Sequence, residues 1–224
     1  MEAQNSVNFL AIVIENYQKG GFFMHFISVA FAFGLAFAFE RAVRLFKTYY
    51  IDGSSFMVEI QKYILANNID EAIRVCNGAP TAALAKVLKA GLQRAGRDED
   101  QIQNAIDASS LEVVPKLERR LGYLALIANI ATLMGLLGTI VGLIHSFAAI
   151  ATADPAQKQT ILANGIAEAM NCTAYGLIVA ITTMVFHSIL TARANRIVED
   201  IDEYGVKLLD LLLARRYKHT AEKA

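Results

Sequence analysis

Charge of one sign is what this 224-residue chain lacks first: 21 lysines and arginines balance 21 aspartates and glutamates. A chain with no net charge presents no overall electrostatic footprint for nucleic acid or for an acidic substrate. There are two cysteines, Cys76 and Cys172, too few for a disulfide framework, and the hydropathy pattern below puts them in different compartments, so both read as free thiols. No stretch alternates apolar and polar residues as a half-buried strand does. A phosphate-binding loop, a metal-ligand cluster and a nucleophile beside a base are all missing, so neither an enzyme, a metal site nor a cofactor is expected. Asp70-Glu71 and Asp98-Glu99-Asp100 read as acids in the first turns of helices, where the helix dipole favours them. The N-terminus carries Glu2 instead of a basic segment, which argues against a cleaved signal peptide and for a first span that stays in the membrane. No internal repeat or low-complexity segment is evident.

What is present is apolar residue in concentrated blocks. Hydrophobic residues make up 55% of the chain and charged residues 19%. A bilayer core of about 30 Å takes roughly 20 apolar residues as helix, and residues 20–39, 121–153 and 161–192 each reach that length. The second block would be about 50 Å long as helix, so it is expected to protrude from the bilayer. The reading is an all-α integral membrane protein with three transmembrane helices. The long second and third helices extend into a cytoplasmic helical domain. Its segments are an external N-terminal stretch (1–19), span one (20–39), the cytoplasmic domain (40–120), span two with its extension (121–153), an external loop (154–160), span three (161–192) and a cytoplasmic C-terminal helix (193–224).

Basic residues set the orientation. Arg41, Arg44 and Lys47 follow the first span, Lys116, Arg119 and Arg120 precede the second, and Arg193 and Arg196 follow the third, whereas Lys19 and Lys158 alone mark the other side. The positive-inside rule then puts the N-terminus outside and the C-terminus in the cytoplasm.

Within the cytoplasmic segment, Ser54 or Ser55 is placed to cap a helix running to Ala66, and Asn68 one running through Val75 that Gly78 and Pro80 close. A third helix is expected over 81–95. A fourth begins after Gly96-Arg97-Asp98 and continues through Pro115 into the second span, with a kink at the proline. Ile197, Ile201, Tyr204, Leu208 and Leu211 recur at three- and four-residue steps opposite Glu199, Asp202 and Asp210. The third span is therefore expected to run on as one amphipathic helix packed against residues 51–120.

Two spans carry matching stripes. Thr132, Gly135, Thr139, Gly142 and Ser146 share one face of the second, and Ala169, Thr173, Gly176, Ala180, Thr183 and His187 one face of the third. Gly138 and Gly142 also form a GxxxG pair. Small residues let helices approach closely, and the plainer explanation of each threonine is packing, with its hydroxyl bonded to its own backbone one turn back. Paired hydroxyl stripes also suit a narrow, partly wetted lumen. Glu168 is the one carboxylate inside the apolar runs, an ionisable group that marks a functional candidate. It flanks the stripe, and an interfacial carboxylate facing headgroups is the alternative. His25, His145 and His187 lie at different depths without metal-ligand spacing; His187, on the stripe, is the best placed for an ionic role. Mid-depth offers no titratable group, so if protons cross, something else carries them there.

Gly135-Leu-Leu-Gly-Thr-Ile-Val-Gly142 and Gly165-Ile-Ala-Glu-Ala-Met-Asn-Cys-Thr-Ala-Tyr-Gly-Leu-Ile-Val-Ala-Ile181 resemble the signature spans of the MotA/TolQ/ExbB proton-channel family. Three spans and a large cytoplasmic loop resemble its ExbB/TolQ branch, since MotA has four spans. The resemblance implies a homopentamer whose second and third helices surround a pore. Two copies of a single-span ExbD/TolR-like subunit, with an intramembrane aspartate as proton carrier, would occupy it. It implies that Thr139 and Thr173, with Gly135, Gly142, Gly176, Ala180 and Thr183, line that pore and that Glu168 stands near its external entrance. Proton-motive force would then drive rotation and work on the cell envelope, through a TonB/TolA-like or gliding-motility effector. Thr182 stands where the family commonly has proline, and His187-Ser188 where it has Tyr-Asn. The alternative class is a non-conducting membrane scaffold that assembles envelope or motility partners, its stripes being packing seams.

Overall fold

The computed structural model describes residues 21–221, with side chains through Arg216. Among the described residues seven α-helices follow one another: α1 (Gly21–Val43), α2 (Gly53–Leu65), α3 (Ile69–Gly78), α4 (Ala83–Leu92), α5 (Glu99–Glu118), α6 (Leu121–Thr152) and α7 (Lys158–Ala221). A π-helical turn, Arg44–Thr48, follows α1. No strand occurs among the described residues. Among the described residues three segments are long and apolar enough to cross a membrane, those carrying α1, α6 and α7, as expected from composition. The expected external N-terminal stretch, 1–19, lies outside the described residues.

The chain divides into two compact units, one built from residues 21–39 and 122–188, the other from 40–121 and 189–221. In the first, Met24 and Ile27 of α1, Ala128 and Ala131 of α6, and Cys172, Val179 and Ala180 of α7 form a buried core, with Phe23, Phe31, Met134 and Tyr175 against it. Small residues at the helix contacts and large ones outside, such as Phe33, Leu133 and Ile144, are the arrangement that lipid permits, since an apolar solvent gives apolar side chains no reason to turn inward. Ser28 and Tyr175 place their hydroxyls 3.1 Å apart, joining α1 to α7.

The second unit is a helical assembly around the C-terminal part of α7. Ile197, Ile201, Leu208 and Leu212 of α7 are buried, while Glu199, Asp202 and Asp210 are exposed. Leu212 takes the deepest place at the end of the stripe, and Leu211 is half-buried. The Tyr204 ring lies against Gly53, and Leu208 against Gly91. Asn68 accepts a hydrogen bond from the Glu71 amide and caps α3, as its position in the sequence suggests. The α2 cap is Asp52, whose carboxylate accepts from the Ser55 hydroxyl at 2.5 Å, in place of Ser54 or Ser55 itself. Cys76 and Cys172 are both free and buried; burial pushes the Cys76 thiol up to about 11.

The junction before the second span departs from expectation. The helix runs on past Pro115 to Glu118 and breaks at Arg119–Arg120, where Arg120 adopts φ +68°. Pro115 and Leu111 are both exposed, so the carbonyl that a proline leaves without its amide partner is open to solvent and the helix tolerates it. The break is fixed from outside. Arg120 Nη1 pairs with Glu40 at 2.5 Å, and Arg41, fully buried, donates through Nη2 to the carbonyls of Lys116 at 2.8 Å and Leu117 at 3.1 Å. These carbonyls belong to the last turn of α5, which has no helical partners for them, and a cation suits the negative end of the helix. Arg41 therefore holds a helix end as well as standing at the basic flank of the first span. Arg41→Met keeps the apolar stem but strands both carbonyls, and a loss of roughly 2–3 kcal/mol is expected; detergent-phase thermal melting reads it, and an unchanged melting temperature contradicts the capping role.

Candidate functional site

The small-residue seam is a contact between α6 and α7 of the same chain. A Cβ placed on Gly176 would stand 2.7 Å from the Ala131 carbonyl oxygen and 3.1 Å from Gly135 Cα, and one on Gly135 3.3 Å from Thr173 Cα. The two backbones thus meet at Gly135 and Gly176, a separation only glycines allow. Gly138 makes room for the Cys172 side chain, and Gly142 packs on Ala169, 3.3 Å from where its Cβ would be. Of the residues expected on a pore wall, Gly135, Gly176, Ala180 and Thr183 are buried within the three-helix unit, Thr183, at 2% exposure, lying beside Gly34 of α1. Thr139, Thr173 and Gly142 are half-buried, and Thr132 is exposed. The stripe is thus divided: part of it is closed by packing within the chain, and part stays half-exposed.

Every hydroxyl of the seam donates to backbone. Thr173 Oγ1 donates across to the Gly135 carbonyl at 2.8 Å. Thr139 donates to the Leu136 carbonyl at 2.6 Å, Thr132 to Ala128 at 3.1 Å, Ser146 to Gly142 at 2.7 Å and Thr183 to Val179 at 2.8 Å. The one-turn-back bond expected of these residues is seen, except that Thr173 reaches the other helix. A hydroxyl that has spent its proton still offers acceptor lone pairs. The half-exposed Thr139 and Thr173 can therefore accept from a protonated carboxylic acid brought to the seam, while offering no donor to a carboxylate. Such a surface favours the neutral form of a visiting acid, the form that crosses an apolar region at least cost.

Glu168 is exposed, and its carboxylate lies against Gly21 at the start of α1. A recess of about 400 Å³ there is lined by residues of α1, α6 and α7, among them His145, Ser146, Asn164 and Glu168. A second hollow, of about 520 Å³, lies between α6 and α7 and is lined by Asn129, Thr132, Leu177, Ile181, Met184 and Ser188 among others. His187 is half-buried and His25 exposed; neither enters the lining of the two hollows. Gly21, Asn129 and Asn164 are lining residues to which the sequence reading assigns no role. Asn129 and Asn164, amides in otherwise apolar stretches, were detectable by the same test that singled out Glu168; Gly21 carries no signal until α1 and α7 are packed. No group of three His, Cys, Asp or Glu side chains placed to hold a metal occurs among the described residues.

The profile of the MotA/TolQ/ExbB proton channel family matches residues 80–203, more than half the chain. The chain belongs to that family. An ExbB homolog of Methanothermobacter thermautotrophicus is 26% identical over 197 residues, covering 88% of this chain and 69% of that protein. TolQ of the Tol-Pal system in Haemophilus influenzae is 39% identical over 95 residues, 41% of each chain. The biopolymer transport protein ExbB of Salmonella typhimurium is 36% identical over 92 residues, 39% of this chain and 36% of that one. The chain thus spans less than half the length of these TolQ and ExbB proteins. Membership of the MotA/TolQ/ExbB family and the three apolar helices together make this a multi-pass membrane protein of the ExbB/TolQ branch.

Proposed function

We propose that this chain is the channel-forming subunit of an inner-membrane motor that uses proton-motive force to do mechanical work on the cell envelope. Five copies surround a pore, and two copies of a single-span ExbD/TolR-like subunit carry the proton through it on an intramembrane aspartate. The observation that carries the reading is the pairing of Thr139 and Thr173, half-open hydroxyls committed as donors, on a seam without a carboxylate of its own. Membership of a family of proton channels supports the same reading. In this reading Thr139, Thr173 and Gly142 face the lumen, while Gly135, Gly176, Ala180 and Thr183 hold the wall together behind it. Glu168 stands at the outer entrance and His187 near the inner end. The N-terminus is outside and the C-terminus cytoplasmic.

A scaffold that gathers partners without conducting protons is favoured by one observation, the use of four stripe residues in intrachain packing. Native mass of the gently extracted complex separates the assembly from this alternative. Five copies that take up two copies of a coexpressed single-span partner are expected; a monomer or dimer that leaves the partner free contradicts the pentameric pore.

A further inference from the structure

We propose that Arg193, laid over the rings of Tyr50 and Phe46, anchors a site for the phosphate group of an anionic phospholipid, in the leaflet on the basic side of the spans. Every residue of the site belongs to one chain, so it stands apart from the proton-path reading.

The structure sorts the basic residues that flank the spans into two groups. Arg44 and Arg120 pair with Glu40, Lys116 pairs with Glu112, and Arg41 is turned onto the carbonyls of α5. Lys47, Arg119, Arg193 and Arg196 make no hydrogen bond or ion pair among the described residues. Of this second group, Arg193 is held in place. Its guanidinium carbon lies over the Tyr50 ring, 4.0 Å from the centroid, and over the Phe46 ring at 5.0 Å. Stacking fixes the plane of a guanidinium but uses none of its N–H donors. Nε is buried without a partner, while the residue as a whole is half-buried, which leaves the terminal nitrogens at the surface. An edge-on, fixed pair of donors matches two phosphate oxygens. The shelf itself is anchored by backbone: the Tyr49 amide donates to the Arg44 carbonyl at 2.9 Å, closing the π-helical turn, and the Ala83 amide donates to the Tyr49 carbonyl at 3.1 Å. Leu45 is fully buried beneath the turn, so Phe46 and Tyr50, both exposed, are held outward. Phe46 and Tyr50 follow α1, and Arg193 follows the apolar stretch of α7, positions at which aromatic rings and basic side chains meet headgroups. Lys47 adjoins Phe46 in the chain and Arg196 stands one turn beyond Arg193, both exposed, and such clusters favour anionic over zwitterionic lipid. Asp200, the next acid along that face, feels both arginines but bonds neither.

The test titrates the full chain in detergent with phosphatidylglycerol, phosphatidylcholine or inorganic phosphate, and reads bound lipid by native mass together with thermal melting. Phosphatidylglycerol is expected to bind and to raise the melting temperature, whereas phosphatidylcholine and inorganic phosphate at the same concentration leave it unchanged. Arg193→Gln removes the charge and the fork, and is expected to raise the half-maximal phosphatidylglycerol concentration at least tenfold. Tyr50→Leu keeps the charge but takes away the nearer ring, and is expected to raise it several-fold. Arg44→Gln removes a cation already held by Glu40 and is expected to leave the midpoint within twofold of the parent, which separates a built site from charge in general. Should Arg193→Gln fail to fold, Tyr50→Leu decides. A parental midpoint in the deciding variant overturns the site, as does an equal loss in Arg44→Gln. A melting shift produced by inorganic phosphate or phosphatidylcholine alone overturns the assignment to an anionic lipid.

Discussion

Gly176→Val is expected to force α6 and α7 apart and to prevent recovery of the assembled complex. The Cβ would meet backbone, 2.7 Å from the Ala131 carbonyl oxygen and 3.1 Å from Gly135 Cα, so no rotamer change relieves the contact. Overpacking in a core costs about 1–3 kcal/mol where side chains adjust; here whole helices must shift, which puts the loss at or above the top of that range. It also breaks the geometry that lets Thr173 reach the Gly135 carbonyl. Gly122 is the control, because nothing lies within 4 Å of a Cβ built there, and Gly122→Ala should melt like the parent. Detergent-phase melting and native mass provide the readings. A Gly176→Val complex with the parental mass and melting temperature would mean that the two backbones do not meet at this point.

Thr173→Val is expected to abolish energised work, at least tenfold, while assembly survives. Valine nearly matches threonine in volume, so the change isolates the hydroxyl. The hydroxyl makes one hydrogen bond, to the Gly135 carbonyl, and losing it costs about 0.5–1.5 kcal/mol of stability. That is too little to dismantle a complex, so loss of work in an intact complex is attributable to the missing acceptor on the proton path. Thr173→Ser keeps the hydroxyl and should retain most of the activity. Work at the parental level in Thr173→Val, measured at equal abundance, would favour the non-conducting scaffold and leave the threonines as packing residues.

The long apolar helices were legible in the sequence because lipid imposes length and composition together: an uncharged run of sufficient length has few alternatives. Asn68 was legible as a cap for a similar reason, since its role depends on its neighbours in the chain. The break at Arg119–Arg120 was not. It depends on Glu40 and Arg41, some 80 positions earlier, whereas Pro115, the visible local signal, is exposed and tolerated. The stripes were legible as faces, but periodicity cannot tell a face that meets its own chain from one that meets another. The burial of Gly135, Gly176, Ala180 and Thr183 beside the half-open Thr139 and Thr173 needed the packed helices. Gly21 is the extreme case, an ordinary glycine at the edge of an apolar run until Glu168 is brought against it.

Proton flux into vesicles tests the central claim most directly. The chain is reconstituted alone, with a single-span aspartate-bearing partner, and with that partner's aspartate replaced by asparagine, and a pH gradient is imposed. Flux is expected only from the complex with the intact aspartate, because this chain supplies acceptor hydroxyls but no mid-depth proton carrier. Equal flux from this chain alone, or from the asparagine complex, would contradict the division of labour between channel wall and carrier.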